Sequence, residues 1–391
     1  MNKLKRVLAT GLIASLVAAA AGCTPPKQAT TGRGGPLSSA KEIVVGAIAP
    51  ITGDVATFGQ STKQALNLAV QQVNAAGGIS GKKVVLKLED DKNDPVEAAN
   101  AALKLINQDK VNAIIGSVSS KVTLAAAPLA QKNKIPMISS TSTNEKVTQV
   151  GDMIYRACFI DPFQGQVMAK FAKENLKSTT AAVLYDIGND YSKGLAESFK
   201  ESFTKGGGQI VAFETYAKGD QDFNAQLTKI KATNPGSLFL PDYYNTVGLI
   251  AKQAKAQGIT AALLGGDGWD SDDLVKIGGT SVEGTYFSNH YSPDNNSPET
   301  KAFIAAYKQA YNAVPDALAA LAYDAATVLF DAIKRADSLD GDKIAAAMSQ
   351  TKDLKTVSGK VNFDTNRNPI KSAVVLSIKD GKQVFVTEVG N

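Results

Sequence analysis

Short apolar runs that alternate with helical stretches constrain the fold of this 391-residue chain more than any other feature. Residues 43–48 form an uncharged run, and 58–76 then carry apolar residues on one helical face before Gly77 and Gly78 end the period. Similar runs, read as strands, lie at 84–88, 111–115, 136–138, 181–185, 209–213, 237–240 and 262–264. The alternation predicts an α/β fold with mainly parallel sheets flanked by helices.

The predicted strands are too many for one sheet of ordinary width, so we predict two α/β lobes. Helical periods at 298–312, 316–336 and 341–350 are expected to return to the first lobe. A terminal hairpin of 360–363 with 373–386 is expected to close the chain.

The chain is predicted to cross between the two lobes three times, near residues 157, 288 and 357, and these crossings would form a three-segment hinge. The expected boundaries are 42–157 plus 289–357 for lobe 1, and 158–288 plus 358–391 for lobe 2.

The N-terminus has the parts of an export signal: a basic start, an apolar run at 7–21 and small residues before Cys23. The run is shorter than the ~20 residues that a membrane span needs. Cys23 in this place resembles a bacterial lipoprotein signal, in which the thiol is lipidated; an ordinary signal peptide with a chance cysteine is the alternative. We predict a signal peptide at 1–22 and a flexible tether at 23–41. The protein would be lipid-anchored on the extracytoplasmic face of the cell membrane, which is the outer surface of a Gram-positive cell or the periplasmic side otherwise.

Composition excludes several classes of function. The net charge of +5 comes partly from the leader, and no basic block marks a nucleic-acid binder. His290 is the single histidine, and once Cys23 is lipidated Cys158 is the remaining thiol, which we expect to be buried. We therefore predict no metal site, no cofactor, no intramolecular disulfide and no catalytic residue. A lipid-anchored hydrolase would lack a base for its nucleophile.

Hydroxyl-rich turns follow two predicted strands of the first lobe. Residues 117–120 follow one strand, and 139–143 follow the next. Ligands of open α/β sheets bind beyond the carboxyl ends of the strands. Hydroxyls and free N–H groups near a helix start suit a carboxylate. Helix capping is the alternative explanation for both turns.

Asp267 stands between glycines directly after the predicted strand at 262–264. A carboxylate there could accept hydrogen bonds from a ligand ammonium, whereas a solvated turn residue is the alternative. Several aromatic residues also fall at strand ends or helix starts, namely Phe58, Tyr191, Tyr243, Tyr244 and Trp269. Together these residues outline a pocket for a small zwitterion with an apolar side chain.

A set of short segments occurs in order along the chain: PITG at 50–53, VNAAGGISG at 73–81, DDKNDP at 90–95, DYSKG at 190–194, GDQDF at 219–223 and YDA at 323–325. With this set the chain resembles the leucine/isoleucine/valine-binding protein family over about 42–388. The resemblance implies a two-lobed periplasmic-binding-protein type I fold. The positions of the family's disulfide are Asn93 and Ser119 here, so that bridge is missing.

The resemblance also implies roles for residues that bind the two charged ends of a ligand. Ser120 and Thr143 match residues that bind the ligand carboxylate, and the carbonyl of Thr141 matches one that helps to hold the ammonium. Asp267 takes the place of the acidic partner of the ammonium, which is a longer Glu in the best-known members.

The walls of the implied site are aromatic. Tyr191 and Tyr243 match tyrosines of the second lobe that contact the ligand, and Phe58 matches an aromatic wall of the first. We add Trp269 as a further residue of the second lobe that is expected to complete the site on closure.

The implied function is capture of an amino acid, branched-chain or otherwise apolar, by hinge closure of a monomeric lipoprotein. The closed protein would deliver the amino acid to the permease of an ABC importer, which works with its own ATPase. Two alternatives remain within the same fold: a sensory ligand-binding module, and a protein that binds amides, urea or aromatic acids.

Overall fold

The computed structural model describes residues 34–390 of the chain, so the predicted signal peptide and Cys23 lie outside the described residues. The first sheet has five strands: β1 (Glu42–Ala49), β2 (Lys83–Asp90), β3 (Ala113–Ile115), β4 (Met137–Ser139) and β5 (Ile154–Arg156). All are parallel, in the order β2-β1-β3-β4-β5. The helices that connect them are α1 (Ala56–Ala75), α2 (Pro95–Asn107), α3 (Ser120–Lys132) and α4 (Lys146–Gln149).

The second half of the chain repeats this alternation. Its elements are α5 (Asp161–Glu174), β6 (Thr180–Asp186), α6 (Asp190–Lys205), β7 (Gln209–Tyr216), α7 (Asn224–Ala232), β8 (Ser237–Phe239), α8 (Tyr244–Ala256), β9 (Ala262–Gly265), α9 (Asp272–Gly278) and β10 (Tyr286–Asn289). Strands β6 to β10 are parallel wherever they pair with one another. The predicted α/β alternation is therefore confirmed, and β10 is a strand that was not predicted from the sequence.

The last part of the chain packs helices on the first sheet and adds two strands to the second. It contains α10 (Pro298–Tyr311), α11 (Ala317–Ala336), α12 (Gly341–Ser349), β11 (Leu354–Thr356), β12 (Gly359–Val361), β13 (Ala373–Lys379) and β14 (Lys382–Val389). Helices α10 to α12 pack on the core of the first sheet, as expected. Strands β13 and β14 complete a seven-stranded sheet in the order β14-β13-β10-β9-β8-β6-β7, with antiparallel pairing at its β13 and β14 edge.

Two expectations about the C-terminal part of the chain are wrong. The terminal hairpin pairs β13 with β14, whereas β12 pairs with β11 in a separate two-stranded sheet. Val361 lies in the core of the first sheet, and Arg367 donates to the carbonyls of Thr148 and Ile154. The predicted third crossing near 357 is therefore too early, because the chain joins the second sheet only at β13.

Local sequence signals explain where several helices begin. Asp94 caps α2, since its side chain accepts from the N–H groups of Val96 and Glu97, and Pro95 occupies the first helical position. Asp316 caps α11 in the same way by accepting from Ala319. Among the described residues, no helix combines the length and the apolar character needed to cross a membrane.

The predicted flexible tether does not include residues 35–40. Leu37 is fully buried in the core of the first sheet, and its N–H donates to Asp337 O at 3.1 Å. Leu339 in turn donates to Gly35 O at 3.1 Å. This stretch is ordered because one apolar side chain in a polar sequence finds a pocket in the folded lobe, which no local pattern indicates.

A chain that begins at Glu42 should be less stable than one that begins at Gly34. Burial of a Leu side chain contributes about 2–3 kcal/mol, and the shorter chain lacks Leu37. We expect urea unfolding to show a loss of this size, and Leu37→Ala in the longer chain to reproduce most of it. Equal stability of the two chains would mean that residues 34–41 behave as the tether that the sequence predicts.

Candidate functional site

A small cavity lies where the carboxyl ends of strands from both sheets meet. It is lined by Phe58, Val118, Ser119, Ser120, Thr141, Tyr191, Tyr243, Asp267, Gly268 and Leu318. Six of the eight residues predicted for the site are among them, whereas Thr143 and Trp269 are not. The cavity thus unites residues from two polar turns of the first lobe with residues from the second.

The two lobes touch around this cavity. Lys121 Nζ donates to Gly188 O at 2.9 Å, and Asn144 Nδ2 donates to Asp190 O at 2.7 Å. On another side Ser271 Oγ lies 3.1 Å from the hydroxyl of Thr57. These contacts join the two lobes around the cavity.

The N-terminus of α3 forms one end of the cavity. Ser120, the first residue of α3, accepts from Asn144 N–H at 3.1 Å, which leaves its hydroxyl proton free to donate. Ser119 does not cap the helix with its side chain, because its hydroxyl donates to Asn93 Oδ1 at 2.6 Å instead. The N–H groups of the first turn thus remain available, and the positive end of the helix faces the cavity. This end suits a carboxylate.

The turn after β4 forms the neighbouring wall. The hydroxyl of Thr141 donates to Val118 O at 3.0 Å, and the carbonyl of Thr141 accepts no hydrogen bond from any described residue. Buried Arg156 holds this turn, because its guanidinium donates to Ser142 O at 2.6 Å and to Asn144 O at 2.8 Å. We did not single out Arg156 from the sequence, although one arginine within an apolar strand was the available signal.

Thr143 lies behind the cavity wall, close to Asp161 on α5. Its hydroxyl is buried without a hydrogen-bond partner among the described residues, and so are both carboxyl oxygens of Asp161. Burial raises the pKa of Asp161 to about 8. The carboxyl group is therefore mostly protonated at neutral pH, when it is able to donate a hydrogen bond.

Asp267 forms the opposite, acidic end of the cavity. Tyr191 donates its hydroxyl to Asp267 Oδ1 at 2.9 Å, and His290 Nε2 lies 3.0 Å from Asp267 Oδ2. Burial raises the pKa of Tyr191 well above its usual value, so that its hydroxyl stays protonated and donates. Within the described part of the chain, no Lys or Arg forms an ion pair with Asp267. From the sequence, His290 was considered only as a single histidine, which is too few for a metal site. Its contact with Asp267 was not predicted.

Aromatic and aliphatic side chains close the rest of the cavity. The ring of Tyr243 stacks on Tyr191 with centroids 5.3 Å apart, and Phe58 meets Tyr243 edge-on at 5.9 Å. Val118 and Leu318 add aliphatic surface. The cavity is therefore polar at both ends, at the N-terminus of α3 and at Asp267, and apolar between them.

Trp269 is not a wall of this cavity, contrary to the expectation from the sequence. Its indole is fully buried in the core of the second sheet, and Nε1 donates to Leu240 O at 3.0 Å. A Cβ at Gly265 would lie 2.0 Å from the indole, so glycine at this position allows the ring to lie against the strand end. Trp269 does lie in the turn after the strand, as predicted. Its side chain points inward, however, because the core of the second sheet has room for the indole beneath this turn.

Cys158 is buried, as the sequence predicted, and burial raises the pKa of its thiol to about 12. A thiol with this pKa is protonated and a poor nucleophile.

Comparison with known proteins supports the fold and the family. The family model described as periplasmic binding protein matches residues 42–383. Leu/Ile/Val-binding protein homolog 3 of Brucella melitensis is 34% identical over 346 residues, which cover 88% of this chain and 93% of that protein.

Two crystal structures are similar over most of the chain. A leucine-binding protein LivK from Thermotoga maritima has 41% identity and a TM-score of 0.86, with 89% of this chain and 99% of that one covered. The branched-chain amino acid transporter substrate-binding protein LivJ from Streptococcus pneumoniae, in complex with isoleucine, has 34% identity and a TM-score of 0.85, with 90% and 100% covered. From the family match and these relatives we conclude that this chain belongs to the periplasmic binding protein family, with the two-lobed type I fold.

Proposed function

We propose that this protein captures an amino acid with an apolar side chain between its two lobes and delivers it to an ABC importer, without chemical turnover. The observation that carries the proposal is one cavity with two opposite polar ends. The α3 N-terminus and the Ser120 hydroxyl offer donors, and Asp267 offers a carboxylate without a cationic side-chain partner among the described residues.

The proposed ligand pose follows from these two ends. The α-carboxylate lies at the first turn of α3, and the α-ammonium donates to Asp267 and to the free carbonyl of Thr141. The side chain then lies against Phe58 and Tyr243, with Leu318 on the same apolar surface. Thr143 sits one layer further back, so we assign it a role in supporting the turn that carries Thr141.

Closure of the lobes would be linked to binding. The proposed site takes residues from both sheets, so a ligand that touches both stabilises the closed arrangement. We propose lobe boundaries at 42–157 plus 290–371 and at 158–289 plus 372–390, with the second crossing placed after β10 and the third just before β13. A hinge of three crossings allows the lobes to separate while each core stays intact.

The setting of the protein is also a proposal. Relatives are named as Leu/Ile/Val-binding proteins and as a transporter substrate-binding protein, which favours delivery to a permease and its ATPase. The alternative is that a protein of the same fold acts as a sensory ligand-binding module and has a partner other than a permease. We propose that a lipid on Cys23 holds the protein, as a monomer, at the extracytoplasmic face of the membrane.

A thermal-shift screen of the mature protein tests the ligand class. The protein is first unfolded and refolded to remove ligand carried from the host, and then screened against amino acids, amides, urea and aromatic acids. A ligand at 100 times its Kd stabilises a protein by about 2.7 kcal/mol, or about 5 °C. We expect apolar L-amino acids to raise Tm by at least this amount, and their α-keto acids, which lack the ammonium, to have little effect. Stabilisation by carboxylates without an amino group, and not by amino acids, would contradict the proposal.

A further inference from the structure

His290 follows β10 and lies against the acidic end of the cavity. Its Nε2 is 3.0 Å from Asp267 Oδ2, and its ring lies on that of Phe159 with centroids 3.6 Å apart. The other ring nitrogen, Nδ1, is buried without a hydrogen-bond partner among the described residues. His290 does not line the cavity, so it acts on a ligand only through Asp267.

The hydrogen bonds of His290 identify its protonation state. A carboxylate accepts hydrogen bonds, so the proton belongs on Nε2, and Nδ1 then carries an unpaired acceptor. A doubly protonated ring would bury an unpartnered N–H donor together with a positive charge, which costs more than an unpartnered acceptor. The buried ring is therefore neutral in this arrangement, with its proton on Nε2.

A neutral donor at this place has a specific consequence for Asp267. Tyr191 and His290 each donate one hydrogen bond to a different oxygen, which fixes the rotation of the carboxylate. Neither donor carries a positive charge, so the carboxylate keeps its full attraction for a ligand ammonium. A Lys or Arg in place of His290 would orient Asp267 equally well but would neutralise it.

We propose that His290 is a positioning residue that presents the Asp267 carboxylate to the ligand ammonium. We also propose that protonation of His290 at acidic pH weakens the binding of the amino acid. The proposal rests on the proposed function, because it assumes that an ammonium group binds at Asp267. Protonated His290 would compete with the ammonium for the same carboxylate, so each excludes the other.

The charges around His290 set the direction of this linkage. Asp267 and Asp270 favour the protonated ring, whereas burial and the ammonium of Lys371 oppose it, and burial has the largest effect. The pKa of His290 is therefore lowered from its ordinary value of 6.5, and a ligand ammonium at Asp267 would lower it further. The affinity for the amino acid is highest at pH values above the ordinary pKa of a histidine, and it falls as the pH drops through the pKa of His290. Below that pKa, binding would release one proton and lose up to about tenfold in affinity per pH unit.

Asp161 on α5 is another titratable group near Asp267 that could produce a pH dependence. Its pKa is raised to about 8 by burial, so it loses its proton on the alkaline side. The two groups thus act in different pH ranges, and Asp161→Asn is a suitable comparison because it removes the titration and keeps the shape of the side chain.

Titration calorimetry between pH 4.5 and 8 tests the proposal. The ligand is the amino acid that stabilises the protein most in the thermal-shift screen. His290→Gln keeps an N–H donor near the Nε2 position but cannot titrate. We expect it to bind within a few-fold of the wild type at pH 7.5 and to lose the acid-side decline. His290→Leu removes the donor and should weaken binding about tenfold at pH 7.5. Circular dichroism at each pH checks that every variant is folded.

The wild type and Asp161→Asn should both keep the decline on the acidic side. In two buffers of different ionisation enthalpy, the wild type should show proton release within the pH range of that decline, and His290→Gln should show none. An acid-side decline or proton release that persists in His290→Gln would overturn the proposal, as would a decline that disappears only in Asp161→Asn. If no amino acid bound to the wild type, the proposed function itself would fail. Binding with an unchanged pH profile in His290→Gln would refute this inference alone.

Discussion

Asp267→Asn is expected to weaken amino-acid binding by one to two orders of magnitude. The carboxylate is buried at one end of the cavity and has no cationic side-chain partner among the described residues, so a ligand ammonium would be its positive partner. A hydrogen bond between charged groups contributes about 1.5–3 kcal/mol, and about 1.4 kcal/mol is a tenfold change in Kd. Asn keeps the size of the side chain but carries no charge, so the loss reports on charge. Titration calorimetry of the refolded mature protein measures it.

Asp272→Asn is the matched control for this experiment. Asp272 is an exposed residue at the start of α9, outside the cavity, and the same change of one charge there should leave Kd within about twofold. Asp267→Asn with unchanged affinity would rule out the ammonium role of Asp267. Equal losses in both variants would instead point to a general effect of net charge on the ligand.

Trp269→Ala is expected to lower the free energy of unfolding by about 3–5 kcal/mol, because it empties the space of a large buried ring. The indole has no exposed surface, and its N–H satisfies the carbonyl of Leu240. Removal of the ring would therefore leave a cavity in the core of the second sheet, while Leu240 O keeps its second hydrogen bond, from Asp242 N–H. Urea unfolding followed by circular dichroism measures the change.

Two comparisons separate this role from a wall of the binding site. Trp269→Phe keeps most of the apolar contact but lacks the N–H, so its loss should be smaller than that of Trp269→Ala, because Leu240 O keeps the hydrogen bond from Asp242 N–H. Phe58→Leu, at the cavity itself, should alter ligand affinity more than stability. If Trp269→Ala left stability unchanged and reduced affinity alone, the ring would be a wall of the site, as expected from the sequence.

The fold could be predicted from the sequence to a large extent, for a local reason. Strand and helix periods report burial of each segment separately, and they marked β1 to β4, β6 to β9 and helices α10 to α12. They do not report which strands pair. The segment at 360–363 was correctly read as extended, yet its partner is β11, because pairing depends on which edge is near after the helices have packed.

The candidate site could be predicted as chemistry but not as geometry. Ser120, Thr141 and Asp267 follow strands, and the carboxyl ends of parallel strands converge, so their positions in the sequence were enough to indicate a site. The direction of each side chain was not determined locally. Trp269 and Asp267 occupy the same turn, yet the indole enters the core while the carboxylate faces the cavity.

The sequence by itself determined the α/β class, the helix caps and the kind of ligand chemistry, since each depends on residue type and on neighbours within a turn or a strand. Only the tertiary structure decided that Leu37 docks on the first lobe, that Arg156 holds the Thr141 turn and that His290 contacts Asp267. These contacts join segments far apart in the chain. Their partners are chosen by the packing of whole lobes, which leaves no periodic trace in the sequence.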